Sequence, residues 1–165
     1  MRSLPATSGT RIFLAGALAL AAGATRAELL CLIQGSDIDF GVYSVMDQAP
    51  RIVSTNVTVT CRSVGGSSQG VVKVAMGPSA HSNVVNIRRM GSHRGRSSLD
   101  YNIYLDPGLT VVWGDSPGIN TAAQPVNLAP GASIDLTFPL YARIYPLQDV
   151  APGAYTDVIR VTVTF

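Results

Sequence analysis

Residues 153–165 read GAYTDVIRVTVTF. Ile159, Val161, Val163 and Phe165 fall on one side of this stretch, and Val158, Arg160, Thr162 and Thr164 on the other. Successive side chains of a β-strand point to opposite faces, so a period of two marks a half-buried strand. Neither a turn nor a returning strand follows Phe165 in the sequence. The pattern therefore predicts a strand with one edge whose partner has to be found elsewhere.

The chain has 165 residues, 47% of them hydrophobic and only 13% charged, which is the composition of a globular chain with a real core. Its 16 Gly and 10 Pro predict short strands joined by many turns. The opening stretch is different in kind. MRSLPATSGTR carries Arg2 and Arg11, IFLAGALALAAGA is a short apolar run, and ATRA ends in small residues. Basic start, apolar middle and small-residue exit read as a secretory signal, too short to span a bilayer. The expected organisation is a signal peptide over residues 1–27, cleaved after Ala27 or after Ala24, and one domain over residues 28–165. Without Arg2, Arg11 and Arg26, nine basic residues face ten acidic ones. A near-neutral surface argues against any general affinity for nucleic acid or anionic lipid, and no membrane insertion of the mature chain is expected. Export places the protein in the periplasm, then at the cell surface or outside the cell.

Cys31 and Cys61 are the two cysteines. In an exported protein an even pair reads as a disulfide. Free buried thiols are the alternative. A structural zinc site would need four ligands, and no His lies near either Cys in sequence.

Along the rest of the chain, CLIQ opens a first strand and FGVY, residues 40–43, a second. RIVSTNVTVTCRS points Val57, Val59 and Cys61 inward, and VVKVAMG does the same with Val72, Val74 and Met76. LDYNIYLD alternates Leu99, Tyr101, Ile103 and Leu105 against Asp100, Asn102, Tyr104 and Asp106. LTVVWGD is expected to pair back across Asp106, Pro107 and Gly108 as a hairpin. Residues 78–98 and 116–133 read as irregular connections. IDLTFPLYARIYP alternates from Ile134 to Ile144, with Pro139 pointing to an edge or a bulge. Seven or eight short strands and no helix predict an all-β fold, an antiparallel immunoglobulin-like sandwich.

Catalytic chemistry finds little support. His81 and His93 lie in the polar connection with no local partner for acid–base work. HExxH and phosphate-cradling glycine motifs do not occur. The reading is not an enzyme, with no catalytic residues, no cofactor and no metal. In IRRMGSHRGR, the residues Arg88, Arg89, Arg94 and Arg96 crowd together around His93. They form either an anion-contacting loop or a solvated one paired with scattered acids. The NVT at Asn56 fits a glycosylation sequon, which a chance match also produces.

Taken in order, FGVY, VTVTC, RRM, LDYNIYLD, VWGD, YARIYP and PGAYTDVIRVTVTF resemble the spore coat protein U domain family, which includes subunits of archaic chaperone–usher pili. The likeness runs from Cys31 to Phe165. It implies a pilin-type sandwich short of its last strand, completed by a strand lent first by a periplasmic chaperone and then by a neighbouring subunit, with assembly at an outer-membrane usher. In such strand addition backbone hydrogen bonds hold the donor and alternate side chains fill a groove. The resemblance implies that Ile159, Val161, Val163 and Phe165 line one wall of that acceptor groove and Phe40 and Val42 the other. A pilus rod subunit also carries a donor segment ahead of its first Cys. Here only ELL, or TRAELL, would remain after cleavage, and three extended residues reach only about 10 Å. The expectation is a structural or adhesive subunit that receives a strand without giving one, hence a minor or tip component. The alternative is a self-contained binding or coat module whose sheet is closed by its own LLCLI segment.

Overall fold

The computed structural model describes residues 27–35, 37–95 and 97–165. The expected signal peptide, apart from Ala27, and Arg96 of the arginine cluster lie outside the described residues. Among the described residues nine strands follow in chain order: β1 (Glu28–Gln34), β2 (Arg51–Val64), β3 (Ser68–Ser79), β4 (Arg88–Ser92), β5 (Ser98–Tyr104), β6 (Ala122–Leu128), β7 (Ser133–Ile144), β8 (Tyr155–Thr156) and β9 (Ile159–Thr164). No helix occurs among the described residues. Every pairing is antiparallel, and the strands form two sheets. The larger runs β1-β2-β7-β5-β4-β8 and the smaller β6-β3-β9. Facing each other, they make a β-sandwich.

Alternation decides which faces meet. Val57, Val59 and Cys61 of β2, Leu136, Phe138, Leu140, Ala142 and Ile144 of β7, and Leu99, Tyr101 and Ile103 of β5 are buried from the larger sheet. Val72, Val74 and Met76 of β3 and Val126 and Leu128 of β6 answer from the smaller one. Trp113 is fully buried in this core, its indole N–H donating to the Val74 carbonyl at 2.9 Å. Pro139 lies opposite Asn56 of β2, beyond the stretch of β7 that pairs with β5. β7 is flanked on one side only there, which is where a residue without an N–H fits.

The cysteines are joined as Cys31–Cys61, directly opposite each other in the β1–β2 ladder. Next to them the two sheets close on each other. Ser68 Oγ donates to the Glu28 carbonyl at 3.1 Å, Ser63 Oγ to the Gly66 carbonyl, and Leu29 lies over Gly70.

Three local expectations give way. Residues 40–43 are not a strand. Gly41 sits at φ 68° with its N–H held by Asp39 Oδ1 at 2.8 Å, a turn that breaks the extended path. The return after Asp106 pairs back only briefly, Leu105 N–H donating to the Val111 carbonyl at 2.9 Å, across a loop rather than a tight turn. Asp106 accepts from the backbone N–H groups of Thr110 and Val111, and only Tyr104 and Val112 bridge. After that bridge the chain changes sheets: Trp113 N–H donates to Ile103 in the larger sheet, and the Gly114 carbonyl accepts from Met76 in the smaller. Finally, β4 and β6 form inside stretches that read as irregular connections.

Candidate functional site

β9 pairs with β3 through residues from Ile159 opposite Ser79 to Thr164 opposite Lys73, and with no other strand among the described residues. The alternative in which LLCLI lies beside the terminal strand and closes its sheet is therefore corrected: β1 lies along β2, from Glu28 opposite Val64 to Gln34 opposite Thr58. The disulfide is formed across that ladder, which ties the segment to β2.

Beside β9 the sandwich opens into a cleft of about 560 Å³. All six strands of the larger sheet contribute to its lining: Ile33 of β1, Val57 of β2, Leu140 of β7, Tyr101 and Ile103 of β5, Met90 of β4 and Tyr155 of β8. The smaller sheet adds Met76 of β3 and Ile159 and Val161 of β9. A sheet three strands wide covers one six strands wide, and the cleft is the part left over. A second hollow of about 790 Å³ continues it toward residues 150–154 and shares Ile38, Asp39, Phe40, Met90 and Tyr155 with the first.

Of the six residues expected to line a groove, Phe40, Ile159 and Val161 meet in the first cleft. Phe40 is buried, edge-on to Tyr101 with ring centroids 5.8 Å apart, and its carbonyl accepts from Arg51 Nε at 2.8 Å. Val42 lines the second hollow and is 87% exposed. Val163 packs partly buried against the core, and Phe165, 55% exposed, follows the last paired residue; neither lines a cleft. Sequence reasoning missed Met90, Tyr101, Ile103 and Leu140 as lining. The inward alternation of Tyr101, Ile103 and Leu140 was legible, whereas Met90 lay in a stretch that read as an irregular connection, and which core residues stay uncovered depends on the unequal widths of the two sheets.

The β8–β9 corner at the head of the cleft is pinned by Asp157. It accepts from the Tyr101 hydroxyl at 2.7 Å and from the Ala80 N–H at 3.2 Å. Burial, and then the bond to Asp157, push the Tyr101 hydroxyl pKa well above its ordinary value.

The arginine cluster divides. Arg88, expected on a loop, is a correction: it lies in β4 and is 0% exposed. Its guanidinium donates to Asn102 Oδ1 at 2.8 Å and to the carbonyls of Met76, Gly77 and Trp113 at 2.8–3.1 Å. Every contact is internal, so it is unavailable to an outside anion. Burial pulls its pKa down, with Tyr101, Asp157 and Asp115 acting the other way. Such a buried cation survives by being fully hydrogen-bonded. Arg89 pairs with Asp100 at 2.8 Å on the surface, and Arg94 sits exposed in the turn after β4. His93 Nε2 lies 3.1 Å from Thr156 Oγ1. Among the described residues no three His, Cys, Asp or Glu side chains gather as metal ligands.

Fold and cleft together define a class: an antiparallel two-sheet β-sandwich with the unpaired edge of β9 beside an apolar cleft. The Spore Coat Protein U domain matches residues 17–162, and the chain belongs to that family. Protein U of Myxococcus xanthus is 25% identical over 141 residues, covering 79% of this chain and 73% of that protein. A solved chain from work titled "Chaperone-tip adhesin complex is vital for synergistic activation of CFA/I fimbriae biogenesis" is similar at a TM-score of 0.42 and 10% identity. That likeness covers 81% of this chain and 42% of the other, so this chain spans less than half its length.

Proposed function

We propose that this protein is a structural or adhesive subunit of a surface coat or chaperone–usher pilus, and that the cleft beside β9 receives an extended strand from another polypeptide. The observation that carries the reading is the cleft lined by all six strands of the larger sheet next to the unpaired edge of β9. An exposed apolar strand edge is an aggregation hazard that some chain must cover. Strand addition would do so: the donor takes up the free backbone groups of β9 while its alternate side chains fill the cleft. In this reading a periplasmic chaperone is the first occupant, a neighbouring subunit the second, and the usher exchanges them. Export through a signal over residues 1–27 delivers the chain to that machinery. No step calls for catalysis.

Coexpression with a cognate periplasmic chaperone should raise the soluble yield of the mature chain sharply and give a one-to-one complex on gel filtration. A monomer that folds alone and stays soluble and thermally robust at high concentration would contradict the reading. A minor or tip position rests on β1, because Glu28, Leu29 and Leu30 are engaged with β2 rather than left to extend as a donor. N-terminal sequencing of the mature protein tests this. A start close to Glu28 supports it, and a start well upstream of Ala24 overturns it.

A further inference from the structure

The first cleft is apolar along its floor but not at its margin. Asp37, Asp39 and Asp157 all line it, and no Lys or Arg does. Among the described residues none of the three is in an ion pair. Asp157 lies within electrostatic reach of the buried Arg88, which answers part of its charge. Asp37 and Asp39 are exposed. Arg51, the next basic residue along the chain, has its Nε bound to the Phe40 carbonyl.

Resting on the strand-acceptor reading above, we infer that the occupant of this cleft is an extended segment of another polypeptide that carries a Lys or Arg at one end of its alternating apolar run. The apolar floor alone would accept any apolar strand, including β9 of a second copy. β9 presents Ile159, Val161 and Val163 inward, and its one cation, Arg160, lies on the opposite face. Carboxylates at the margin penalise a strand that brings no counter-charge and favour one that does, which is how charge sets partner choice and register at an interface. A segment paired along the free edge of β9, which runs over 6 residues from Ile159 to Thr164, needs about six or seven extended residues, about 20 Å.

The test uses the mature chain and three blocked nonapeptides alternating Val or Ile with Thr. One ends in Gln at both termini, one has Lys at the amino end and one has Lys at the carboxyl end. Fluorescence anisotropy should show one lysine peptide binding about threefold or more tighter than the neutral one. That preference should shrink in about 0.5 M salt. It should also shrink in the Asp37→Asn/Asp39→Asn variant, which keeps an acceptor oxygen for the Gly41 N–H. The end that prefers Lys also reports the direction of the strand. If all three peptides bind equally well, this inference fails and the acceptor reading stands. If none binds, both fail.

Discussion

The smaller sheet has two edges, and they are built differently. β6 carries Pro125 at its middle, opposite Val71, and a Gln124 side-chain amide that donates across to the Thr137 carbonyl of β7 at 2.8 Å. Its inward residues Val126 and Leu128 are buried at 4% and 6% exposure. β9 has no Pro, and its inward residues Ile159, Val161 and Val163 are only half-buried. Both edges are apolar on the inside, but one is blunted and anchored to the facing sheet while the other opens on a cleft. A proline on an edge strand is a common guard against unwanted pairing. Under the proposed function the free edge of β9 is a place kept for a partner, and the contrast with the guarded edge of the same sheet supports that reading.

The largest expected effect lies where β3 passes from one edge to the other. Pairing with β6 ends at Val74, and the next carbonyls, Met76 and Gly77, are held by Arg88. Arg88→Met should strand those acceptors and Asn102, costing about 3–5 kcal/mol in chemical denaturation. A loss below about 1 kcal/mol would mean that the β9 side of β3 stands without it.

Removing the covalent tie should weigh almost as much and leave the cleft alone. Cys31→Ser with Cys61→Ser is expected to cost about 3–4 kcal/mol on the chain-entropy account. Affinity for a strand peptide should stay within about twofold, and a collapse of binding would show that the closed margin shapes the open one. Val161→Lys should do the reverse. It places a charge in the cleft, where strand binding should fall about tenfold or more. The stability of the free chain should drop by about 1 kcal/mol, because Val161 is only partly buried.

The smallest effect is far from either edge. Burial and the hydroxyl of Tyr145, 3.1 Å away, push the Tyr104 pKa up to about 12, against the pull of Arg143. Its stabilising contribution is fully present below pH 10 and is lost as the pH rises through about 12. Absorbance titration should find a late-ionising tyrosine that disappears in Tyr104→Phe, and identical curves for the two proteins would refute the assignment.

Much of this contrast was written in the sequence. The strict alternation of 159–164, of 57–61 and of 134–144 states the strands and their inward faces, because a half-buried strand has only one workable pattern. Other parts were not. Arg88 reads as a surface charge until the acceptors that surround it, the carbonyls of residues 76–77 and 113 and the Asn102 side chain, are assembled in space. Asn102 and Tyr104 sit on the polar side of an alternating strand, yet both are buried. β6 is short and contains Pro125, so its pattern looked like a loop until β3 offered it a partner. Phe40 lines the cleft from a turn rather than from a strand, since Gly41 takes a backbone conformation that the residue pattern did not register.

Hydrogen exchange along β9 tests the account most directly. In the isolated mature chain, alternate amides between Ile159 and Thr164, those facing away from β3, should exchange quickly while their neighbours are protected. Adding a binding strand peptide should slow the fast set. Uniform protection along the whole strand before any partner is added would contradict the claim that its outer edge is open.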